Sequence, residues 1–305
     1  MTRIKADLTL LLAAFVWGSG FVAQRYAAAR IDTFTFNGWR FLIAALIIFV
    51  VTRIVKREKP QAQRAPVPRQ QIPWMILAGA LLFSASGLQQ AGLATTTISN
   101  ASFITGLYVV LVPLILSFVW RERISRLTWG AVAFAVAGVM LLSLQGELRL
   151  ASGDALELAS AVMWSLQIIL VGWLSSRGAD VLHFSIVQFA TCGALNLGLA
   201  AVLHGDGALA VQSTWAAIVY SAFFPIAMGF SLQIAGQRHA PPVDASLIMS
   251  SEAVFGTLFG YMLLGETLVP QQLGGCALIM AAMVLAQVKP GKAIGLEPAP
   301  RDAVS

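Results

Sequence analysis

Ten apolar stretches, each about as long as a membrane-spanning helix, follow one another along this chain of 305 residues. A helix needs roughly 17–25 apolar residues to cross the ~30 Å of hydrocarbon in a bilayer. Transmembrane β-strands are shorter, at about ten residues of alternating polarity, so these continuous stretches predict helices. They lie near Leu8–Ala28, Phe34–Ile54, Pro73–Leu93, Ile98–Val119, Leu127–Leu144, Ala155–Ser175, Leu182–Leu203, Trp215–Ile234, Val243–Leu264 and Gln272–Val288.

The composition agrees with a chain that faces lipid. Charged residues make up 11% of the sequence and hydrophobic residues 58%. Soluble domains carry about 25% charged residues, so this chain lacks the surface that a water-soluble protein needs. The predicted class is therefore an all-α integral membrane protein with ten transmembrane helices. The first apolar stretch is longer than the core of a signal peptide, and we interpret it as an uncleaved span.

The basic residues predict the orientation of the chain. With the N-terminus in the cytoplasm, 16 of the 20 Lys and Arg residues lie in or next to cytoplasmic segments. Only Arg25, Arg30 and Arg149 lie outside, and Arg40 lies within the second span. Cytoplasmic loops carry an excess of Lys and Arg, so this asymmetry predicts cytoplasmic termini and an even number of helices in a cell membrane. The cytoplasmic residues are Arg3, Lys5, Arg53, Lys56, Arg57, Lys59, Arg64, Arg69, Arg121, Arg123, Arg126, Arg177, Arg238, Lys289, Lys292 and Arg301.

An internal repeat divides the chain into two halves. Shifted by 144 residues, Leu88–Leu141 aligns without a gap with Leu232–Leu285, and 14 of the 54 positions are identical. Upstream, Trp17 matches Trp164 at a shift of 147 residues. Each half holds five spans, so the second half must enter the membrane from the opposite side, as in the inverted repeats of secondary transporters.

The predicted organisation is a first repeat over 1–146, a second over 150–289 and a disordered cytoplasmic tail over 290–305. The first repeat includes a basic, proline-bearing cytoplasmic linker at 56–71. In transporters built from inverted repeats, the substrate site lies near the midplane between the halves.

The strongest single candidate for a functional residue is Glu252, about ten residues into the predicted ninth helix. A charge at mid-depth costs about 2.5–3.5 kcal/mol on insertion scales, so Glu252 must face protein or water. Such a carboxylic acid can hold a proton and release it when water enters, which proton-coupled transport requires. A structural acid bonded to a neighbouring helix is the alternative. Gly256 and Gly260 form a GxxxG spacing that lets another helix pack closely.

Two further acids and one base have more than one interpretation. Glu122 and Glu266 occupy equivalent positions in the two repeats, near helix ends, where a cap or a salt bridge is expected. Arg40 could pair with Glu252, bind a substrate carboxylate through its planar guanidinium, or extend to the interface.

Amide and aromatic side chains also lie within the apolar helices. Each amide alone is expected to bond between helices. As a set they predict a pocket for an amphipathic zwitterion, with aromatic walls and a few convergent polar groups. We select as site residues Glu252, Arg40, Trp17, Gln89, Asn100, Tyr108, Trp164 and Gln167, with Gln24, Gln90 and Gln233 as further polar neighbours.

The chain resembles the EamA-type ten-helix carriers of the drug/metabolite transporter superfamily. The resemblance rests on WGSGF at Trp17–Phe21, FITGLYVVLVPL at Phe103–Leu114 with the following RER, and SSEAVFGTLFGYMLLGE at Ser250–Glu266. It implies export or exchange of amino acids, related metabolites or amphipathic drugs. It also implies a central pocket built from the first, third, fourth, sixth, eighth and ninth helices.

The sequence predicts a gradient-driven transporter and no enzyme. It contains no HExxH, GxSxG, GxxxxGK or paired CxxC motif, and no cofactor is expected. The expected partners are a small-molecule substrate, protons as coupling ion and the lipid bilayer, with no nucleic acid. The alternatives are an intramembrane enzyme acting on lipid-linked substrates and a non-transporting sensor or scaffold. The sequence leaves the substrate, the direction of transport and the oligomeric state open.

Overall fold

The computed structural model describes residues 2–57, 68–93, 95, 104–143, 152–203, 208–264 and 269–288. The described residues form helices and no strand. The helices are α1 (Arg3–Ala28), α2 (Thr33–Arg57), α3 (Ile72–Gly92), α4 (Tyr108–Val119), α5 (Arg126–Ser143), α6 (Ser152–Ser176), α7 (Val181–Leu203), α8 (Ala208–Ser221), α9 (Ser231–Gln237), α10 (Pro242–Met249), α11 (Glu252–Leu264) and α12 (Pro270–Val288).

These helices form the ten predicted spans, and the all-α membrane class is confirmed. Helices α8 and α9 are one span, joined by a π-helical segment at Ala222–Phe230, and α10 and α11 form the next. Among the described residues, seven spans are long and apolar enough to cross a membrane, and three further apolar helices are shorter. Large apolar side chains such as Leu46, Phe118 and Val202 are 60–81% exposed. These exposed side chains give the bundle the apolar surface that lipid requires.

The two repeats pack against each other through equivalent elements. The second span packs along the seventh, where Gly38 lies against Leu197 and Gly193 against Leu42. The fifth span packs along the tenth, where a Cβ on Gly138 would lie 2.7 Å from the carbonyl oxygen of Gly275. Small residues at these crossings allow close helix packing in the absence of a hydrophobic driving force.

The fourth and ninth spans are interrupted at equivalent positions. A turn at Leu107 precedes α4, and a turn at Ser250 and Ser251 separates α10 from α11. Leu107 and Ser251 are 144 residues apart, which is the repeat shift. We predicted a continuous ninth helix, and this is wrong: the helix is interrupted at Ser250 and Ser251, whose hydroxyls donate to the carbonyl oxygens of Leu247 and Ile248. Side-chain hydrogen bonds of this kind compete with the helical backbone pattern.

Prolines lie at distortions or ends of helices in the eighth and ninth spans. Pro225 lies inside the π-helical segment, where the wider turn accommodates a residue without a backbone N–H. Helix α9 ends at Gln237, and Pro242 is the first residue of α10. Pro113 lies buried inside α4.

An ion cluster ties the first helix to the ninth span at the end of the bundle that holds the N-terminus. Arg3 donates to the carboxylate of Asp244 on α10 and to Asp7 Oδ1 at 3.3 Å. Both carboxylates are largely buried. We call these three residues the N-terminal ion cluster.

Candidate functional site

A cavity of about 670 Å³ of empty space, its opening included, lies between the two repeats. It is lined by the six spans expected from the resemblance and also by the second span. Its lining residues are Trp17, Phe21, Gln24, Arg40, Phe41, Ser86, Gln89, Thr105, Tyr108, Trp164, Gln167, Ile168, Pro225, Ile226, Phe230, Gln233 and Glu252.

The structure brings seven of the eight selected site residues into this one cavity. They are Glu252, Arg40, Trp17, Gln89, Tyr108, Trp164 and Gln167. Asn100 lies outside the described residues. Of the further polar neighbours, Gln24 and Gln233 line the cavity, whereas Gln90 is buried elsewhere in the bundle.

Glu252 and Tyr108 meet where the two broken helices begin again. Each is the first residue of its helix, α11 and α4, and the Tyr108 hydroxyl donates to Glu252 Oε1 at 3.3 Å. They are equivalent residues of the two repeats, so they lie close to the axis that relates the halves. The N-terminus of α11 carries a positive partial charge that stabilises a carboxylate. In the sequence, these two residues are related by their equivalent positions in the repeat alignment, 144 residues apart.

Three aromatic rings form one wall of the cavity. Trp17 and Trp164, which are equivalent in the two repeats, both pack on Phe230, with ring centroids 4.9 and 5.9 Å away. The Trp164 and Phe230 rings are stacked with their planes 14° apart. Trp17 Nε1 donates to the Pro225 carbonyl oxygen at 2.9 Å, which fixes the indole. Trp164 Nε1 is buried and has no hydrogen-bond partner among the described residues.

Arg40 places a cation in the cavity wall, and its side chain is 4% exposed. Its guanidinium lies 4.7 Å above the Phe36 ring and 5.4 Å from the Phe41 ring, both within the range of cation–π attraction. Nε has no acceptor, and no described carboxylate forms an ion pair with Arg40. Of the alternatives left open by the sequence, pairing with Glu252 is therefore not found in the described structure.

Close packing of the first and ninth spans brings Glu252 to this position. A Cβ on Gly18 would lie 2.6 Å from the Phe255 Cβ and 2.7 Å from the Gly256 nitrogen. Gly256 in turn faces the Phe21 ring. The first glycine of the predicted GxxxG spacing therefore packs against α1, one turn after Glu252.

Sequence reasoning missed two residues beside the cavity, Thr105 and Glu157. Thr105 Oγ1 accepts from Gln89 Nε2 at 3.2 Å and donates to Glu157 Oε2 at 3.0 Å. Glu157 is fully buried in α6. The sequence signal for Glu157 was its position inside the predicted sixth span. Because Glu157 is only five residues after the start of α6, its acidic side chain is also explained as an ordinary residue near a helix end. Within the second repeat, Gln233 Nε2 donates to Gln167 Oε1 at 3.2 Å.

The structural role expected for Glu122 is found in its backbone and not in its side chain. Its N–H donates to the Leu116 carbonyl oxygen at 3.2 Å, just beyond the end of α4. Both of its carboxylate oxygens are buried and have no hydrogen-bond partner among the described residues, so the side chain forms neither a cap nor a salt bridge with them. Burial raises the pKa of Glu122 above its usual value. It lines a second, larger groove of about 1740 Å³ with Trp74, Trp173 and Arg238. Glu266 lies outside the described residues.

A family model of the EamA-like transporter family matches the chain twice, over residues 4–144 and 151–287. The chain belongs to the EamA-like transporter family. It is thus a membrane transporter of ten helices in two inverted five-helix repeats, and the resemblance seen in the sequence is confirmed. The repeat boundaries at 1–146 and 150–289 stay a prediction.

Curated relatives of this family member carry transporter names. An "Uncharacterized transporter" of Archaeoglobus fulgidus is 28% identical, with 94% of this chain and 87% of the relative covered. A "Probable amino-acid metabolite efflux pump" of Salmonella typhimurium is 27% identical, covering 92% of this chain and 94% of the relative. A solved crystal structure has a TM-score of 0.76 at 19% identity, covers 94% of this chain and 98% of its own, and shows the shared fold.

Proposed function

We propose that this EamA family member is a secondary transporter that exports small amphipathic zwitterions, such as amino acids and related metabolites, in exchange for protons. The observation that carries the proposal is the central cavity, which presents one cation, one acid and an aromatic wall. Arg40 has no described anionic partner there, and Glu252 has a single described hydrogen-bond donor, Tyr108. A zwitterion supplies both missing partners.

The substrate carboxylate would bind at Arg40. A guanidinium presents paired donors in a plane, which fits the two oxygens of a carboxylate. The exposed edges of Trp17 and Trp164 would contact an apolar or aromatic side chain of the substrate. Gln89, Gln167 and Gln233 would orient its remaining polar atoms. Amphipathic drugs with a cationic nitrogen fit the same aromatic wall and Glu252.

The substrate ammonium group would bind at Glu252, where it competes with a proton. A carboxylate can be neutralised by an ammonium ion or by H⁺, but a single site does not hold both cations. Binding of a proton from one side therefore favours release of the ammonium group on that side. This competition is the simplest coupling of proton entry to substrate exit, and it needs no ATP.

Alternating access would use the breaks in the fourth and ninth spans. Discontinuous helices at the midplane allow one half of a helix to tilt while the other half stays packed. The N-terminal ion cluster joins α1 to α10 on one side of the cavity, and separating its charges would open that side. With the orientation predicted from the basic residues, this is the cytoplasmic side of a plasma membrane.

The Salmonella typhimurium relative, named a probable amino-acid metabolite efflux pump, supports this substrate class and the direction of export. The match extends over nearly the full length of both chains, so the cavity-forming helices have counterparts in it.

The test is transport by the purified protein in proteoliposomes under an imposed pH gradient. We expect efflux of at least one zwitterionic amino acid from a panel that also contains amines, nucleosides and sugars. An uncoupler should abolish the concentrative part of that flux. Transport of sugars or nucleosides with no response to the pH gradient would contradict the proposal.

A further inference from the structure

A second carboxylate lies behind the cavity wall, on the side of the third and fourth spans. Glu157 is fully buried in α6, and its Oε2 accepts from Thr105 Oγ1 at 3.0 Å. Its other oxygen, Oε1, is buried with no hydrogen-bond partner among the described residues. A fully buried, half-bonded carboxylate in a membrane-spanning helix is energetically costly unless a proton or a cation neutralises it.

The surroundings of Glu157 supply no such partner in the described part of the chain. Gly92 of α3 faces it so closely that a Cβ there would lie 2.8 Å from Oε1. Helices α3 and α4 contain no charged residue, and Tyr108 is the titratable group that α4 directs at the cavity. The charged neighbour is Asp154, one turn earlier on α6, and its charge has the same sign. With no described cation at hand, binding a proton is the way to neutralise Glu157.

Hydrogen bonds connect Glu157 to the cavity. Thr105 Oγ1 also accepts from Gln89 Nε2 at 3.2 Å, and both Thr105 and Gln89 line the cavity, whereas Glu157 does not. Glu157 is therefore two hydrogen bonds away from an amide that faces the substrate space. A hydroxyl is both donor and acceptor, so the donor-to-acceptor direction of this series of hydrogen bonds is set by the group at its end.

We propose that Glu157 is a second proton-binding site of this transporter, and that Thr105 relays its protonation state to Gln89 on the cavity wall. This inference rests on the proposed function for its biological meaning, since it assigns a second ionisable group to the same proton-coupled cycle. It adds a site outside the substrate cavity to the one at Glu252.

The relay has two arrangements. With Glu157 ionised, Thr105 donates to the carboxylate and accepts from the Gln89 amide NH₂, which leaves the Gln89 carbonyl oxygen for the substrate. With Glu157 protonated, its O–H donates to Thr105, and Thr105 donates to the Gln89 carbonyl oxygen after the amide rotates. The NH₂ group of Gln89 then faces the cavity as a hydrogen-bond donor. No covalent bond other than O–H changes: Glu157 gives its proton to Thr105 Oγ1, and the Thr105 hydroxyl gives its own proton to water in the cavity that Thr105 lines.

The test is pH-difference infrared spectroscopy of the purified protein in lipid, which follows the C=O stretch of protonated carboxyl groups without any substrate. We expect Glu157→Gln to remove one pH-dependent carboxyl band and Glu252→Gln to remove a different one. Thr105→Val should keep the Glu157 band but shift it to higher frequency, because a hydrogen bond to that carboxyl is lost. Ser160→Ala, a buried hydroxyl of the same helix that bonds the Ala85 carbonyl, should change neither band.

Two outcomes would overturn the inference. One is a set of pH-dependent carboxyl bands that is identical in the wild type and Glu157→Gln. The other is a set of carboxyl frequencies in Thr105→Val that is identical to the wild type, a comparison that retains the carboxylate and so reports on the relay even where Glu157→Gln fails to fold. Neither readout depends on flux, so failure of the proposed function, seen as unchanged coupling in Glu252→Gln, is recognised separately.

Discussion

Tyr108 and Glu252 show how duplication can create a site. Equivalent residues near the axis of an inverted repeat face each other, and here they have diverged into a phenol and an acid that share a hydrogen bond of 3.3 Å. An acid at both positions would bring two like charges together, whereas tyrosine supplies a donor to the single carboxylate. We infer that the asymmetry of this pair leaves one cation-binding group on the axis.

Replacing Tyr108 by Phe tests this pair, because it removes only the hydroxyl group that donates to Glu252. A hydrogen bond to a charged group contributes about 1.5–3 kcal/mol, so we expect substrate affinity to change several-fold or more while the protein folds normally. Proton coupling should persist, because Glu252 remains. Scintillation binding at two pH values measures both properties, and complete loss of coupling in Tyr108→Phe would contradict this division of roles.

Arg40 gives a second prediction at the same scale. Arg40→Gln should weaken binding of L-phenylalanine by roughly 10- to 150-fold, the equivalent of about 1.5–3 kcal/mol for a charge-assisted hydrogen bond. Phenethylamine, which lacks the carboxylate, should bind equally well to both proteins. Arg53→Gln is the matched control, because Arg53 lies on the same helix over the Phe49 ring and outside the cavity. Equal loss for both ligands would remove Arg40 as the carboxylate site.

The sequence predicted much of this site because polar side chains in membrane-spanning helices avoid lipid and therefore face the interior of the bundle. Trp17, Trp164, Gln89 and Gln167 had to turn inward, and the repeat brings the two tryptophans onto the same ring, Phe230. Glu157 was missed because an acid near the start of a helix is common and is explained by its favourable interaction with the helix dipole. Only the packing of α6 against α3 buries it completely.

At the scale of elements, the helix order could be predicted and the helix breaks could not. Long apolar stretches and loop charges fix ten spans. Gly106 directly precedes the break at Leu107, whereas the break at Ser250 and Ser251 involves neither glycine nor proline, so the sequence has no standard signal for that second break. At Ser250 and Ser251, the side-chain hydroxyls donate to carbonyl oxygens three residues earlier, a local pattern that Ser246 also forms inside the uninterrupted α10. At Pro225, where a proline inside a helix removes a backbone donor, the structure has a π-helical segment.

The packing of α1 on α11 leads to a prediction with a built-in control. Gly18→Ala adds a Cβ that would meet backbone and Cβ atoms of the facing helix at 2.6–2.9 Å, so we expect a loss of about 1–3 kcal/mol of stability. Gly130→Ala is the matched variant, because nothing lies within 4 Å of its added Cβ and alanine favours a helix. Thermal unfolding in detergent should show a lower Tm for Gly18→Ala alone. Equal Tm values would refute the close contact.

At the scale of the whole molecule, the inverted repeat explains why one cavity can serve two sides of the membrane. In the proposed cycle, the same elements, packed in the opposite sense, would close the cavity from either end in turn. In the structure, the N-terminal ion cluster joins the first turn of α1 to the first turn of α10. We infer that forming and separating this cluster is part of the transport cycle.

Reversing the charges of the cluster tests that inference. Arg3→Asp should increase labelling of a cysteine introduced at Ala6, which is fully buried near the cluster, and should slow transport. The double variant Arg3→Asp/Asp244→Arg should restore low labelling, since the ion pair is rebuilt with opposite polarity. Labelling that is the same in all three proteins would show that the cluster does not control access.

The most direct measurement for the whole account is proton-driven efflux by Glu252→Gln in proteoliposomes, with Glu122→Gln as the matched control. Both variants remove one buried carboxylate, but only Glu252 lines the central cavity. We expect Glu252→Gln to insert and purify normally and to lose its response to the pH gradient, while Glu122→Gln transports like the wild type. An unchanged pH-dependent flux in Glu252→Gln would contradict the account.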